Sequence, residues 1–89
     1  MAADFSYSSV LVQEMANAPL VEKVTTDENN HVFYMGYPRT RDLTKCSIKK
    51  VTYTKNGNSE TWETKLSGGN REQIYAWADR ATLTYEFYQ

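Results

Sequence analysis

The hydrophobic and polar residues of this chain alternate with a period of two over several short stretches. The clearest stretch ends the chain, where Ala81, Leu83, Tyr85 and Phe87 fall on one side and the residues between them on the other. That period predicts a half-buried strand over 81–88. We expect this strand to pair within a sheet, because an unpaired edge so rich in β-branched and aromatic residues would promote aggregation.

Four earlier segments also predict strands: Leu20–Thr25, Val32–Tyr37, Cys46–Thr54 and Ser59–Leu66. The first has mixed faces, so the pattern specifies its register only weakly. In the third, Ile48 and Val51 lie three residues apart, which does not fit a strict period of two. This spacing predicts a β-bulge or a strong twist near Lys49-Lys50, and a helix is the less favoured alternative because the segment is rich in β-branched residues.

Turn signals separate these strands. The pair Asn56-Gly57 accepts positive φ angles, so it predicts a tight hairpin with a type I′ turn. Pro38 has no amide hydrogen for a ladder and is expected to end the second strand. The polar residues 39–45 then form a solvated connection, or alternatively present Arg39 and Arg41 to an anionic partner.

The segment after the fourth strand is less regular. Ser67–Asn70 is predicted to be a turn. Its two glycines do not indicate a phosphate-binding loop, because the pattern of such a loop, with Lys and Ser/Thr before a helix, is absent. Residues 71–77 form either an irregular or helical turn or a short fifth strand. At the following corner, Asp79 is expected to form side-chain hydrogen bonds to the backbone next to Arg80.

The first 18 residues differ from the rest of the chain. Ser6, Ser8 or Ser9 could cap a short helix that places Leu11 and Met15 on one face. A helix this short is marginal by itself in water. Residues 1–18 are therefore either a disordered tail or an arm that docks on the domain or on a neighbouring subunit, and their apolar content favours the arm.

Large aromatic side chains are expected to fill a thin core. An 89-residue chain has room for one domain and buries a modest share of its surface. Trp62 is predicted to lie in that core, with an exposed stacking platform for a sugar or a base as the alternative. The lone Cys46 is expected to be a small buried apolar residue. His31 is placed in a polar turn that begins at Asp27.

Composition and charge argue against several kinds of function. Ten basic and eleven acidic residues leave a net charge of −1, without the basic excess expected of a nucleic-acid-binding protein. One cysteine and one histidine predict neither an internal disulfide nor a metal site. We see no catalytic constellation, so we expect neither enzymatic activity nor a cofactor. We also expect no membrane span and no signal peptide, and hence synthesis and folding in a cytoplasm.

Taken together, the pattern predicts a mainly β fold. We expect a small antiparallel β-sandwich or barrel-like domain of five to six strands over residues 19–89, preceded by an N-terminal arm or short helix over residues 1–18.

Four segments resemble a group of short proteins of tailed bacteriophages. They are Tyr34-Met35-Gly36-Tyr37, Ser47–Tyr53, Asn56-Gly57-Asn58 and the closing run Trp77–Tyr85, which is similar to the Trp-Asp-Asp-Arg-Ala-Ser-Leu-Thr-Tyr run of that group. The match extends over Leu20–Tyr88, about three quarters of the 89 residues. The loops Pro38–Arg41 and Ser67–Asn70 depart from the pattern of the group, which puts shared ligand contacts in doubt more than a shared fold.

This resemblance implies a virion structural protein located on the capsid, the neck or the tail. Its partners would be other copies of itself and neighbouring virion proteins, so a homo-oligomer is expected, because a thin β domain gains stability on assembly. Symmetric contacts would use the arm and one sheet edge. The alternatives are a glycan-binding module for the host surface and a phage inhibitor of one host protein. The residues expected at the assembly interface are Phe5, Leu11, Met15, Tyr37, Trp77 and Tyr88, with Asp79 and Arg80 as a structural corner.

Overall fold

One short helix, five antiparallel strands and a 3-10 turn make up the described part of the chain. The computed structural model describes residues 9–27 and 29–88. Its elements are α1 (Ser9–Asn17), β1 (Leu20–Asp27), β2 (Asn30–Arg39), β3 (Asp42–Asn56), β4 (Ser59–Ser67), a 3-10 turn (Trp77–Asp79) and β5 (Tyr85–Glu86). The mainly β prediction is confirmed. The described strands form a single sheet in the order β1-β2-β3-β4-β5, and the predicted sandwich or barrel is not confirmed.

The prediction of a solvated connection over 39–45 is wrong in its extent, because the turn between β2 and β3 consists of two residues. Pro38 does not end β2, because it still pairs with Cys46 and the strand continues to Arg39. The register shifts just after Pro38, at a position where a missing amide hydrogen is tolerated. Thr40 and Arg41 make the turn with φ angles of 47° and 66°. Two positive φ angles are the pattern of a type I′ turn, here built without glycine.

The tight hairpin predicted between β3 and β4 is confirmed. Asn56 pairs with Ser59, which leaves Gly57 and Asn58 as the turn residues. Of these two, Gly57 alone has a positive φ angle, 63°. The type I′ prediction is therefore wrong, and the φ pattern is that of a type II′ turn, which requires glycine at its first central position.

Both faces of the sheet are buried at its centre, and this explains the spacing of Ile48 and Val51. The β2–β3 register is continuous from the Asn30–Thr54 pair to the Pro38–Cys46 pair, so the predicted bulge near Lys49-Lys50 is absent. Side chains three residues apart on a strand point to opposite faces. Two clusters result: Phe33, Met35, Val51 and Tyr53 on one face, and Tyr34, Cys46 and Ile48 on the other.

Each face has its own cover. We call the side on which α1 packs the helix face; Met15 and Ala18 contact the buried cluster there. We call the opposite side the C-terminal face, and the residues that cover it come mainly from the end of the chain: Tyr75, Trp77, Leu83 and Tyr85. The buried Cys46 confirms the prediction for that residue, and burial raises the pKa of its thiol.

Two single-residue predictions are wrong. Trp62 is not in the core: it pairs with Tyr53 on the helix face, but it stands on β4, outside the cluster covered by α1, and is 44% exposed. His31 is not in a polar turn but buried on β2, with its ring centroid 6.1 Å from that of Tyr53. The turn is shorter than expected, because β1 continues to Asp27 and β2 begins at Asn30.

The predicted C-terminal strand over 81–88 is mostly absent. Only Tyr85 and Glu86 pair with β4, and Phe87 is exposed. The chain turns instead, since the amide of Thr82 donates to the carbonyl of Asp79 at 2.9 Å. Residues 71–77, for which alternatives were open, contain a single bridge between Tyr75 and Cys46.

Candidate assembly surface

The residues predicted for an assembly interface do not form one patch. Phe5 lies outside the described residues, and Leu11 lies in α1. Met15 and Tyr37 pack against the cluster of the helix face, whereas Trp77 packs on the C-terminal face. Tyr88 is exposed, with its ring 4.8 Å from the guanidinium carbon of Arg71.

The helix α1 docks on its own domain. Glu14 forms an ion pair with Lys49 at 3.0 Å, and the Lys49 ammonium lies 5.9 Å from the centroid of the Tyr37 ring. Burial and the charge of Glu14 raise the pKa of the Tyr37 phenol, so its hydroxyl stays protonated. The structure thus gives the predicted arm a site within the same chain, and contact of this arm with a neighbouring subunit stays a prediction.

Arg80 organises the predicted corner. Its Nε and Nη2 atoms donate to the two carboxylate oxygens of Glu22 at 2.8 and 2.9 Å, and its Nη1 donates to the carbonyl of Trp77 at 3.0 Å. The guanidinium carbon lies 4.6 Å from the Trp77 ring centroid, and the Tyr85 hydroxyl donates to the Arg80 carbonyl at 2.7 Å. One arginine therefore joins β1, the 3-10 turn and β5.

Asp79 takes part in this corner in another way than expected. Its side chain is exposed, and among the described residues its carboxylate has no hydrogen-bond donor. The backbone carbonyl of Asp79 instead accepts two hydrogen bonds from Thr82, one from its amide and one, at 3.0 Å, from its hydroxyl. The expected side-chain hydrogen bonds of Asp79 are thus replaced by backbone bonds and by those of Arg80.

Replacing Arg80 by methionine is expected to lower the melting temperature near pH 7 by about 5 °C, since a partly exposed bidentate pair contributes about 1 kcal/mol. The hydrogen bond from Arg80 lowers the pKa of Glu22. The stabilisation is therefore complete above the ordinary glutamate pKa of about 4.3 and is lost as the pH falls through the lowered value. Thermal melts followed by circular dichroism at several pH values measure the difference.

Arg39→Met is the matched control for this experiment, because Arg39 is exposed in the β2–β3 hairpin and remote from Glu22 in the register. It should leave the melting temperature nearly unchanged. A difference between Arg80→Met and the unaltered protein that stays constant down to about pH 2 would contradict a role for the Glu22 carboxylate.

The sheet ends in two edges that no other described strand pairs with. One is the outer edge of β1, and the other is the outer edge of β4 over 59–65, because β5 pairs only with Leu66 and Ser67. Val21 and Val24 are exposed on β1, as is Trp62 on β4. Such edges offer backbone hydrogen-bonding groups to a further strand.

Two surface clefts are lined by residues that the structure describes. One, of about 300 Å³, is lined by Tyr37, Ser47, Lys49, Leu66 and Arg71. The other, of about 310 Å³, is lined by Thr52, Thr54, Thr61, Trp62 and Glu63. No group of three or more His, Cys, Asp or Glu side chains suited to a metal occurs within the described ranges. Over the same ranges, no helix is long and apolar enough to cross a membrane.

Sequence reasoning missed the contacts that hold the corner. Glu22 and Arg80 are 58 residues apart, and each lies in a stretch whose local pattern gives no sign of the other. The close approach of Trp77 to Gly36 is equally non-local. A glycine within a strand pattern does signal such an approach, and Gly36 offered that signal.

The closing run, Trp77–Tyr85, forms this corner. Trp77, Leu83 and Tyr85 cover the C-terminal face, and Arg80 binds Glu22. Comparison with known protein families, with curated proteins and with solved structures finds no match to this chain.

Proposed function

We propose that this protein is a structural component of a bacteriophage virion that acts by assembly with copies of itself and with neighbouring virion proteins. The observation that carries the proposal is that no other described strand pairs with the outer edge of β1 or with the outer part of β4, both of which carry exposed apolar side chains. An edge of this kind pairs readily with a strand of another chain. The resemblance of the closing run, Trp77–Tyr85, supports a phage origin and a location in the virion.

Two different open edges permit a head-to-tail arrangement. β1 and the outer part of β4 lie at opposite edges of the sheet. A copy that joins its β1 to the β4 of a neighbour therefore leaves another edge open. Contacts of this heterologous type generate closed rings or open filaments. A ring or filament of small domains suits the capsid, neck or tail locations that the resemblance implies.

Light scattering of the purified full chain tests the proposal. We expect a defined oligomer that Val21→Lys and Trp62→Lys, one on each edge, convert to monomers, since an added lysine blocks edge-to-edge pairing. Leu43→Lys is the matched control, because Leu43 is 48% exposed, close to the 43% of Val21, but lies at the β2–β3 hairpin.

Two outcomes would contradict edge-to-edge assembly. One is a monomer at every accessible concentration, and the other is an oligomer that both edge variants retain. Circular dichroism melts of all variants verify that a loss of the oligomer is not a loss of the fold.

A further inference from the structure

The cleft next to α1 has the composition of a ligand site. Tyr37, Ser47, Lys49 and Leu66 lie on the helix face in adjacent register positions, where Tyr37 pairs with Ser47 and Lys49 with Leu66. Arg71 joins them from the loop after β4, and the five residues line an open cleft of about 300 Å³. That volume is at the lower end of the range for small-molecule pockets.

The two cations of the cleft differ in their partners. Lys49 already binds the carboxylate of Glu14 at 3.0 Å. Arg71 has no carboxylate within ion-pair distance in the part of the chain that the structure describes, and its guanidinium lies 4.8 Å from the Tyr88 ring centroid. Stacking on a ring leaves the N–H groups at the edge of the guanidinium plane available, and this fork matches a carboxylate.

The loop that carries Arg71 is held in place before any ligand binds. On its N-terminal side, the amide of Glu72 donates to the side-chain carbonyl of Asn70 at 2.9 Å. On its C-terminal side, Nε2 of Gln73 donates to the carbonyl of Tyr37 at 3.2 Å, and Tyr75 exchanges two backbone hydrogen bonds with Cys46. A cation fixed in this way loses little conformational entropy when it binds.

The remaining walls suit a hydroxylated ring. The Ser47 and Tyr37 hydroxyls can both donate and accept, whereas the Lys49 and Arg71 groups can only donate. Leu66 supplies apolar surface. A ligand that matches all three kinds of wall bears a carboxylate for Arg71, hydroxyls for Ser47 and Tyr37, and a compact apolar face for Leu66.

We propose that this cleft binds an acidic sugar, a single pyranose ring that bears a carboxylate. A neutral sugar leaves Arg71 without its anion, and a simple carboxylic acid leaves the hydroxyls of Ser47 and Tyr37 without partners. The cleft lies entirely within one chain, so the proposal stands apart from assembly. The two proposals can therefore fail separately. A monomer that binds the sugar would contradict assembly alone, and an oligomer that does not bind it would contradict the sugar site alone.

Nuclear magnetic resonance of the ¹⁵N-labelled full chain tests this proposal with sodium glucuronate as the probe. We expect saturable shifts of the amides of Ser47, Lys49, Leu66 and Arg71, with a dissociation constant of roughly 1 mM for so small a ligand. Glucose should produce no saturable shift, and acetate at the same ionic strength should bind at least tenfold more weakly than glucuronate. Arg71→Gln should weaken glucuronate binding about tenfold or more, because it removes a charge-assisted hydrogen bond.

Arg39→Gln is the matched control, since Arg39 is exposed outside the cleft, and it should bind glucuronate like the unaltered protein. The amide spectra of both variants verify the fold. Absence of saturable shifts in the unaltered protein would overturn the proposal. So would acetate binding as tight as that of glucuronate, which would show an adventitious anion site only, or equal binding by the Arg71 and Arg39 variants.

Discussion

Replacing Gly36 by valine is expected to destabilise the protein by about 3 kcal/mol, a large part of the 5 to 15 kcal/mol that holds a typical domain folded. A Cβ atom at this position would lie 2.6 Å from Cε3 and 2.7 Å from Cζ3 of Trp77, and 3.2 Å from Cδ1 of Leu20. The Trp77 ring cannot easily retreat, because Arg80 stacks on it and donates to its carbonyl. The contact is rigid on both sides, so the fold must shift.

Urea denaturation of the valine variant measures this loss. Gly57→Ala separates the steric cause from a backbone cause, since Gly57 has a positive φ angle but nothing within 4 Å of its added Cβ. It should cost about 1 to 2 kcal/mol, because a Cβ atom is crowded by the backbone in the left-handed region. The double variant Gly36→Ala/Trp77→Leu provides the second check, because leucine lacks the clashing ring atoms. Its loss should be smaller than the sum of the two single losses, and strict additivity would contradict the clash.

Local chemistry predicted the parts of the fold that depend on neighbouring residues. The helix over Ser9–Asn17, the Gly57 hairpin and the central strands follow from helical spacing, turn residues and alternation. The Thr40–Arg41 turn could not be predicted in this way. Positive φ angles are unfavourable for both residues, and it is the pairing of β2 with β3 that imposes them.

Two-sided burial accounts for one error about the core, because a period-of-two argument assumes one buried face, and the spacing of Ile48 and Val51 therefore suggested a bulge. The size of Trp62 suggested a core position, but this residue lies on β4, outside the cluster that α1 covers. Which face is covered depends on α1 and on the C-terminal segment, whose positions are set by contacts distant in sequence such as Glu22–Arg80. Because of these non-local contacts, the residues expected at the assembly interface lie on two different faces of the sheet. The cleft around Arg71 combines β2, β3, β4 and a loop, and no single stretch of sequence shows it.

Ile48→Ala and Val51→Ala are both expected to be strongly destabilising, by about 3 and about 2 kcal/mol, although the two residues point to opposite faces. Each side chain is fully buried, so each substitution leaves a cavity. Thr52→Ala is the control on the same strand, because Thr52 is exposed and its loss should stay within about 0.5 kcal/mol. If β3 had only one buried face, one of the two alanine variants would behave like Thr52→Ala.

Double-mutant cycles with Met15→Ala then test which face of the sheet α1 covers. Met15 packs against the cluster that contains Val51, so these two substitutions should couple by at least about 0.5 kcal/mol in urea denaturation. Met15 and Ile48 lie on opposite sides of the sheet, so their losses should add. The result also bears on assembly. An α1 that left its own domain to bind a neighbour in solution would lose this coupling at high protein concentration and regain it on dilution, whereas an α1 that covers its own core would show the same coupling at every concentration.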